Sequence, residues 1–212
     1  MMNNNEALDF FKQNLKRIEC NHMFNTNIGV VFNTEHDGIE EELKEHCLNI
    51  RETVKSGGND WLAPTYNTST TNHSVYKDKK FHRLNQWVDN QVQQYIDFLG
   101  IKLRGERYIP FEKDGWFNIY EKGDYQEYHN HPCIISAIYY LSSDLAINAK
   151  THFKSPVQEH YPISYDSEYG TSGRATYYPE KGKLLIFRGF VEHCVEKEES
   201  DNIRISLAYN YE

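Results

Sequence analysis

The chain has 212 residues, 39% apolar and 14% aromatic, with 16 tyrosines; this suits one well-packed domain and excludes both two full domains and an intrinsically disordered chain. The 31 acidic residues outnumber the 23 basic ones, for a net charge of −8, which is the wrong sign for a surface that tracks nucleic-acid phosphates. No stretch approaches the roughly 20 apolar residues of a membrane span.

Leu8, Phe11, Leu15 and Ile18 recur at three- and four-residue steps and predict a first helix. A short strand is expected over 28–33. Ile39, Leu43, Cys47, Ile50 and Val54 form a second helical stripe, with Gly57 and Gly58 to end it. Residues 59–80 are polar and rich in turn formers, with Trp61 and Tyr66 as exceptions. Leu84, Trp87, Val88, Val92, Tyr95 and Leu99 make a third stripe, and Gly100 is a fitting C-cap. After residue 106 short β-rich runs follow one another, at 115–121, 125–131, 134–142, 146–153, 175–179, 183–188, 191–196 and 203–210. Turn signals such as Gly123 and Gly182 separate them. Helices first and many short strands after predict a single α+β unit, mainly β: residues 1–105 as mostly helical support and residues 106–212 as a sandwich or jelly-roll core.

Four cysteines, Cys20, Cys47, Cys133 and Cys194, form no C-x-x-C pair, so a zinc knuckle is not expected. The first residues carry no apolar signal core. A protein of the reducing cytoplasm with free thiols is the expectation.

Four local features can carry chemistry. His129 and His131 flank Asn130 and precede Pro132; two residues apart on a strand they share a face and suit two ligands of one metal. Ten histidines in the chain also make such a pair common by chance. Some sixty residues later an apolar run from Leu184 to Phe187 turns at Gly189 and delivers His193, a candidate third imidazole. In the last strand Ile203, Ile205 and Leu207 occupy one face, and Arg204, Ser206 and Ala208 the other. An arginine there must meet water or an anion, and its planar fork matches a carboxylate, with Ser206 as a further donor; a structural ion pair is the alternative. Asn118 and Tyr120 share a face of an earlier strand and can donate hydrogen bonds to a small acid.

The order of these pieces resembles the Fe(II)/2-oxoglutarate-dependent oxygenase superfamily. It is most similar to the small oxygenases with a His-x-His-Pro motif, then a serine and a Tyr-Tyr-Leu strand, which are related to prolyl 4-hydroxylases. Here that strand includes Ser136, Tyr139, Tyr140 and Leu141; the resemblance runs from about Trp116 to Asn210. It implies a double-stranded β-helix buttressed by the N-terminal helices, with Fe(II) and 2-oxoglutarate in its mouth and dioxygen as oxidant. His129 takes the place of the first ligand and His193 that of the distal histidine. Arg204 holds the distal carboxylate of 2-oxoglutarate, helped by Tyr140 and Ser206, with Asn118 and Tyr120 as co-substrate contacts. One departure stands out: the family pattern is His-x-Asp or His-x-Glu, and this chain has His131, expected here as a third ligand. The likeness points to hydroxylation of a peptide or amino-acid-like substrate. Two other readings stay open: a three-histidine, cupin-like dioxygenase without 2-oxoglutarate, and a non-catalytic jelly-roll module. Residues 148–178, polar and tyrosine-rich, are a candidate lid.

Overall fold

A computed structural model describes residues 26–58, 62–100, 113–144, 148–156 and 173–212. The expected first helix around Leu8–Ile18, Trp61 and most of the candidate lid lie outside the described residues.

The expected strand over 28–33 is β1 (Gly29–Phe32). The second stripe folds as α1 (Glu40–Thr53), which buries Leu43 and Cys47. The third is α2 (His82–Phe98), which buries Leu84, Val88, Val92 and Tyr95 at the expected helical spacing. Gly100 has φ +63° and its N–H meets the Asp97 carbonyl at 3.0 Å, the left-handed cap expected after such a helix. Between the helices, β2 (Tyr66–Asn67) adds a short edge within the stretch read as turns. The β half comprises β3 (Lys113–Tyr120), β4 (Gln126–His129), β5 (Ile135–Ser142), β6 (Thr151–Lys154), β7 (Arg174–Tyr177), β8 (Lys183–Arg188), β9 (His193–Val195) and β10 (Arg204–Tyr211).

These strands form two antiparallel sheets. The larger runs β1-β8-β5-β10-β3-β2 and the smaller β4-β9-β6-β7. The fold is the expected jelly roll, with helices on one side. Several strands are shorter than their sequence signals: β4 stops at His129, so His131 is in the following loop, β6 begins only at Thr151, and β9 keeps only His193–Val195 of the expected 191–196.

The large sheet is buried on both faces, which explains its near-continuous apolar runs. Ile205, Leu207, Tyr209, Phe117, Ile119, Tyr139, Leu184 and Ile186 pack with the helices in one core. The alternate residues Ile138, Tyr140, Leu185 and Phe187 form a second cluster with Phe153. Strand alternation therefore directs Arg204, Ser206, Asn118 and Tyr120 away from the helices and into the space between the sheets.

Candidate functional site

His129 ends β4 and stands directly opposite His193, the first residue of β9. Their ring centroids are 4.2 Å apart. His131 lies 5.2 Å from each of them. All three offer a ligand atom within 4.8 Å of the others, and no other such group of three occurs among the described residues.

The two paired histidines are set by the same local device. His129 Nδ1 lies 2.8 Å from the Glu127 carbonyl, and His193 Nδ1 lies 3.1 Å from the Val191 carbonyl. A carbonyl only accepts, so each Nδ1 carries the hydrogen and each Nε2 keeps its lone pair. That is the tautomer an Nε2-ligated metal requires. Burial lowers the pKa of all three rings: His131 falls to about 3, His129 is lowered, and His193 lies well below its ordinary value. Each is therefore a neutral imidazole at physiological pH. Phe153 and Phe187 pack on His193 at 5.5 and 4.9 Å between centroids, which keeps that side dry.

His131 is positioned by its backbone. Its N–H donates to the Gly189 carbonyl at 2.9 Å, and the Gly189 N–H donates to the Ile134 carbonyl at 3.2 Å. The β8–β9 turn thus grips the loop after β4 at two points. A Cβ on Gly189 would lie 2.2 Å from the Cys133 carbonyl oxygen, so only glycine permits the approach. The outer face of His131 meets Trp116 at 5.6 Å, tilted by 31°.

Arg204 occupies the other end of the cavity and is 1% exposed. Its Nη1 donates to the Ala149 carbonyl at 2.9 Å, and its guanidinium lies 3.9 Å over the Tyr120 ring. Its Nε is buried with no hydrogen-bond partner, and no ion pair holds it among the described residues. A buried cation in this state costs several kcal/mol, about 3–5 when its partner is missing. Asn118 on β3, directly opposite Ser206 of β10, also leaves its Oδ1 buried and unpartnered. Tyr120 donates to Gln126 Oε1 at 2.9 Å and Tyr140 to Thr151 Oγ1 at 2.8 Å. Burial raises both phenols, Tyr140 to about 12, so both stay protonated donors.

All the sequence-derived candidates converge on one region. His129, His131, His193, Arg204, Ser206, Asn118 and Tyr120 line one cavity. Tyr140 stands just behind, its ring 5.9 Å from the Arg204 guanidinium. Sequence reasoning missed Gln126 and Thr151, which also line it. Gln126 is three residues from His129, so simple alternation places it on the wrong face; an irregular register between the two brings it round. It also missed Glu198, fully buried, whose carboxylate accepts the Ala149 and Ser200 N–H groups at 3.0 Å each. That fixes the residue whose carbonyl holds Arg204. The cavity is narrow, about 20 Å³, and larger depressions of 710 and 380 Å³ lie elsewhere. Neither of them combines ligating imidazoles with a buried cation, so chemistry rather than size singles out this site.

Residues 114–210 match the family described as "Putative 2OG-Fe(II) oxygenase". No curated sequence matches. Among solved structures the chain is similar to a prolyl-4-hydroxylase from Pseudomonas putida, at 12% identity and TM-score 0.60 over 88% of this chain and 92% of that one. A prolyl hydroxylase from Trichoplax adhaerens, in complex with a hypoxia inducible factor peptide fragment, aligns at 13% identity and TM-score 0.57, over 87% of this chain and 82% of its own. HygX from Streptomyces hygroscopicus, with nickel, 2-oxoglutarate and hygromycin B bound, aligns at 12% identity and TM-score 0.56, covering 97% and 86%. At these identities the structural likeness establishes the jelly-roll fold alone.

Two outcomes follow from this geometry. In Gly189→Ala the new methyl must push back the Cys133 carbonyl, and with it the loop that carries His131. The variant should melt lower and bind manganese at least tenfold more weakly, while a control such as Gly38→Ala, where an added Cβ meets nothing within 4 Å, should do neither. The second outcome concerns acid. The His131 pKa is about 3 in the folded metal-free chain against 6.5 for the ordinary group, so the unfolded state binds more protons between these values. Stability is then full above about pH 6.5 and is lost on acidification, by up to about 1.4 kcal/mol per pH unit for each such imidazole. Urea unfolding of metal-free protein at pH 7, 6, 5 and 4 should show a shallower decline in His131→Gln than in the parent.

Proposed function

We propose that this chain is an Fe(II)- and 2-oxoglutarate-dependent hydroxylase in which His129, His131 and His193 hold the iron and Arg204 anchors the co-substrate. One observation carries the reading: a fully buried guanidinium with an orphaned Nε shares a cavity with three neutral, convergent imidazoles. A ferrous ion suits the imidazoles, and a carboxylate suits the Arg204 fork. When bound, the metal supplies dioxygen activation, coupled to oxidative decarboxylation of 2-oxoglutarate to succinate and carbon dioxide, with the second oxygen atom going to substrate.

The chain's own residues bind, orient and exclude water. The Nδ1 bonds of His129 and His193 hold their rings at fixed angles, which is worth much of the metal affinity. Arg204 takes the distal carboxylate in a charge-assisted pair, with Tyr120 as the platform under its guanidinium. Ser206, Asn118 and Tyr140 supply flanking polar groups. Phe153 and Phe187 keep the metal side apolar, and Val195 packs with Tyr120 and Ala149 at the Arg204 end. The substrate we favour is peptide or amino-acid-like, in keeping with the two prolyl hydroxylases of like fold. The free thiols of Cys47, Cys133 and Cys194 fit a reducing, cytoplasmic setting.

Succinate release in the presence of Fe(II), 2-oxoglutarate and a panel of peptides and amino acids tests the reading. A three-histidine dioxygenase that oxidises substrate without forming succinate would replace it. Arg204→Ala should weaken 2-oxoglutarate binding by at least about a hundredfold, as expected when one partner of a buried charge pair is removed, while manganese affinity stays within a few-fold. Arg204→Lys should recover little, since an ammonium cannot form the two-pronged contact. Equal calorimetric affinity for 2-oxoglutarate in the alanine variant would give Arg204 another role. Removing the third imidazole in His131→Ala should cost much of the metal affinity, whereas His131→Asp should retain metal. A manganese complex in which His131 stays beyond about 2.5 Å from the ion, well outside imidazole bond lengths, would remove it from the ligand set.

A further inference from the structure

The two free ends of the large sheet are finished differently. At one end β2 is only two residues long, a short edge that gives little for another strand to pair with. At the other, β1 presents Gly29, Val30, Val31 and Phe32 with no lysine, proline or bulge to blunt it. Its register fixes which main-chain groups are free. The Asn33 N–H donates to the Gly182 carbonyl at 2.9 Å, one step beyond the Phe32–Lys183 pair. Hydrogen bonding alternates along an antiparallel pair, so Gly29 and Val31 turn their main chain toward β8, and Val30 and Phe32 turn theirs outward. Each outward residue offers one N–H and one C=O, and no described strand pairs with them.

The side chains of Val30 and Phe32 are uncovered as well, at 47% and 49% exposure. On the other face of the sheet, α2 borders the same edge. Gln91, Gln94, Tyr95 and Phe98 line a groove of 380 Å³ with the residues of β1, and Phe98 is 73% exposed. Among the described residues no charged side chain lines this groove, in a chain of net charge −8. Lys183, opposite Phe32, is paired with Glu180. Two copies that approach through this edge meet apolar surface, whereas their net charge sets them against each other elsewhere.

We infer that β1 is the seam of a homodimer, in which two copies pair their β1 strands antiparallel about a twofold axis at Val31. Val30 of each copy then lies opposite Phe32 of the other. A hydrogen-bonded pair exchanges two bonds, so this register leaves no outward N–H or C=O of Val30 or Phe32 unpaired. The fit is isologous: one patch serves as both donor and acceptor, and a second kind of partner is not needed. On one face Val30 and Phe32 cover each other across the seam. On the other the two Val31 side chains meet beside the grooves that Phe98 borders. The contact is small next to a standard interface of about 1,600 Å², so a micromolar Kd is expected.

The test is sedimentation velocity on the full-length protein from about 1 to about 300 µM, a range that brackets a micromolar Kd. The mass should rise from that of one chain to that of two. Val30→Lys places a charge on the seam and should weaken association at least about tenfold while the fold is kept. Val31→Cys reports the register. Residues facing each other in a non-hydrogen-bonded pair stand about 4.5 Å apart at Cα, within disulfide reach. On oxidation Val31→Cys should link to its own copy, and Val30→Cys, set diagonally from its copy, should not; peptide mapping separates these links from any through the native cysteines. The Val30 and Phe32 amides should exchange hydrogen freely at the lowest concentration and become protected at the highest. A chain that stays monomeric at the highest concentration overturns the inference. So does association that folded Val30→Lys leaves unchanged, or a Val30→Cys link as efficient as that of Val31→Cys. Protection of both amides already in the monomer means that another part of the chain covers the edge, and overturns it too. Should Val30→Lys fail to fold, the crosslinks decide.

Discussion

A guanidinium buried between two sheets, without a counter-charge among the described residues, is the constraint around which the β half is arranged. Arg204 begins β10, the strand flanked by β3 and β5 in the large sheet. Its partners are a main-chain carbonyl and the faces of two tyrosines, which soften the cost of burial without cancelling the charge. Everything that touches it is in turn tied down. Ala149 is held by Glu198, Tyr120 by Gln126 and Tyr140 by Thr151. A cation held this firmly, with its Nε–H buried and unpartnered, is organised for an anion that no described residue supplies.

Much of this was legible in the sequence because β-strands impose a period of two. Once Ile205, Leu207 and Tyr209 are assigned to the core, Arg204 and Ser206 must face the other way, and the same holds for Asn118 and Tyr120 against Phe117 and Ile119. The helices were legible through Leu84, Val88, Val92 and Tyr95 for the same kind of reason, and their packing onto one face of the large sheet follows from the apolar stripes. What periodicity cannot supply is departure from it. Gln126 reaches the cavity through an irregularity in the β4–β9 register, and β2 forms in a turn-rich stretch because β3 offers it an edge. Glu198 carries no local signal at all. Its role depends on meeting the Ala149 and Ser200 amides after β6 and β9 have paired.

His131 was identified for a reason that proved only half physical. Alternation on a continuous strand was to place it beside His129, yet β4 ends at His129. The ring arrives beside its neighbours because the loop is clamped to the β8–β9 turn through Gly189. The decisive residue is thus a glycine nearly sixty positions away, whose lack of a side chain lets Cys133 approach. A turn that also leads into His193 fixes two of the three imidazoles at once, so the spacing between them is set by one piece of backbone and not by two independent loops.

The dryness of the cavity acts on its two ends with opposite sign. For the histidines, burial suppresses the protonated form and presents neutral nitrogens, the state a metal needs. For Arg204 the same dryness leaves a permanent charge in a low-dielectric setting. Water admitted to relieve Arg204 would raise the cost of keeping three imidazoles neutral and weaken any metal–nitrogen bonding by competition. A cation at the histidines and a dianion reaching to Arg204 remove both strains together, each lowering the electrostatic cost of the other. Binding of the two should therefore be cooperative by ordinary linkage, and the coupling passes through the ligands themselves. No movement of the sheets is required.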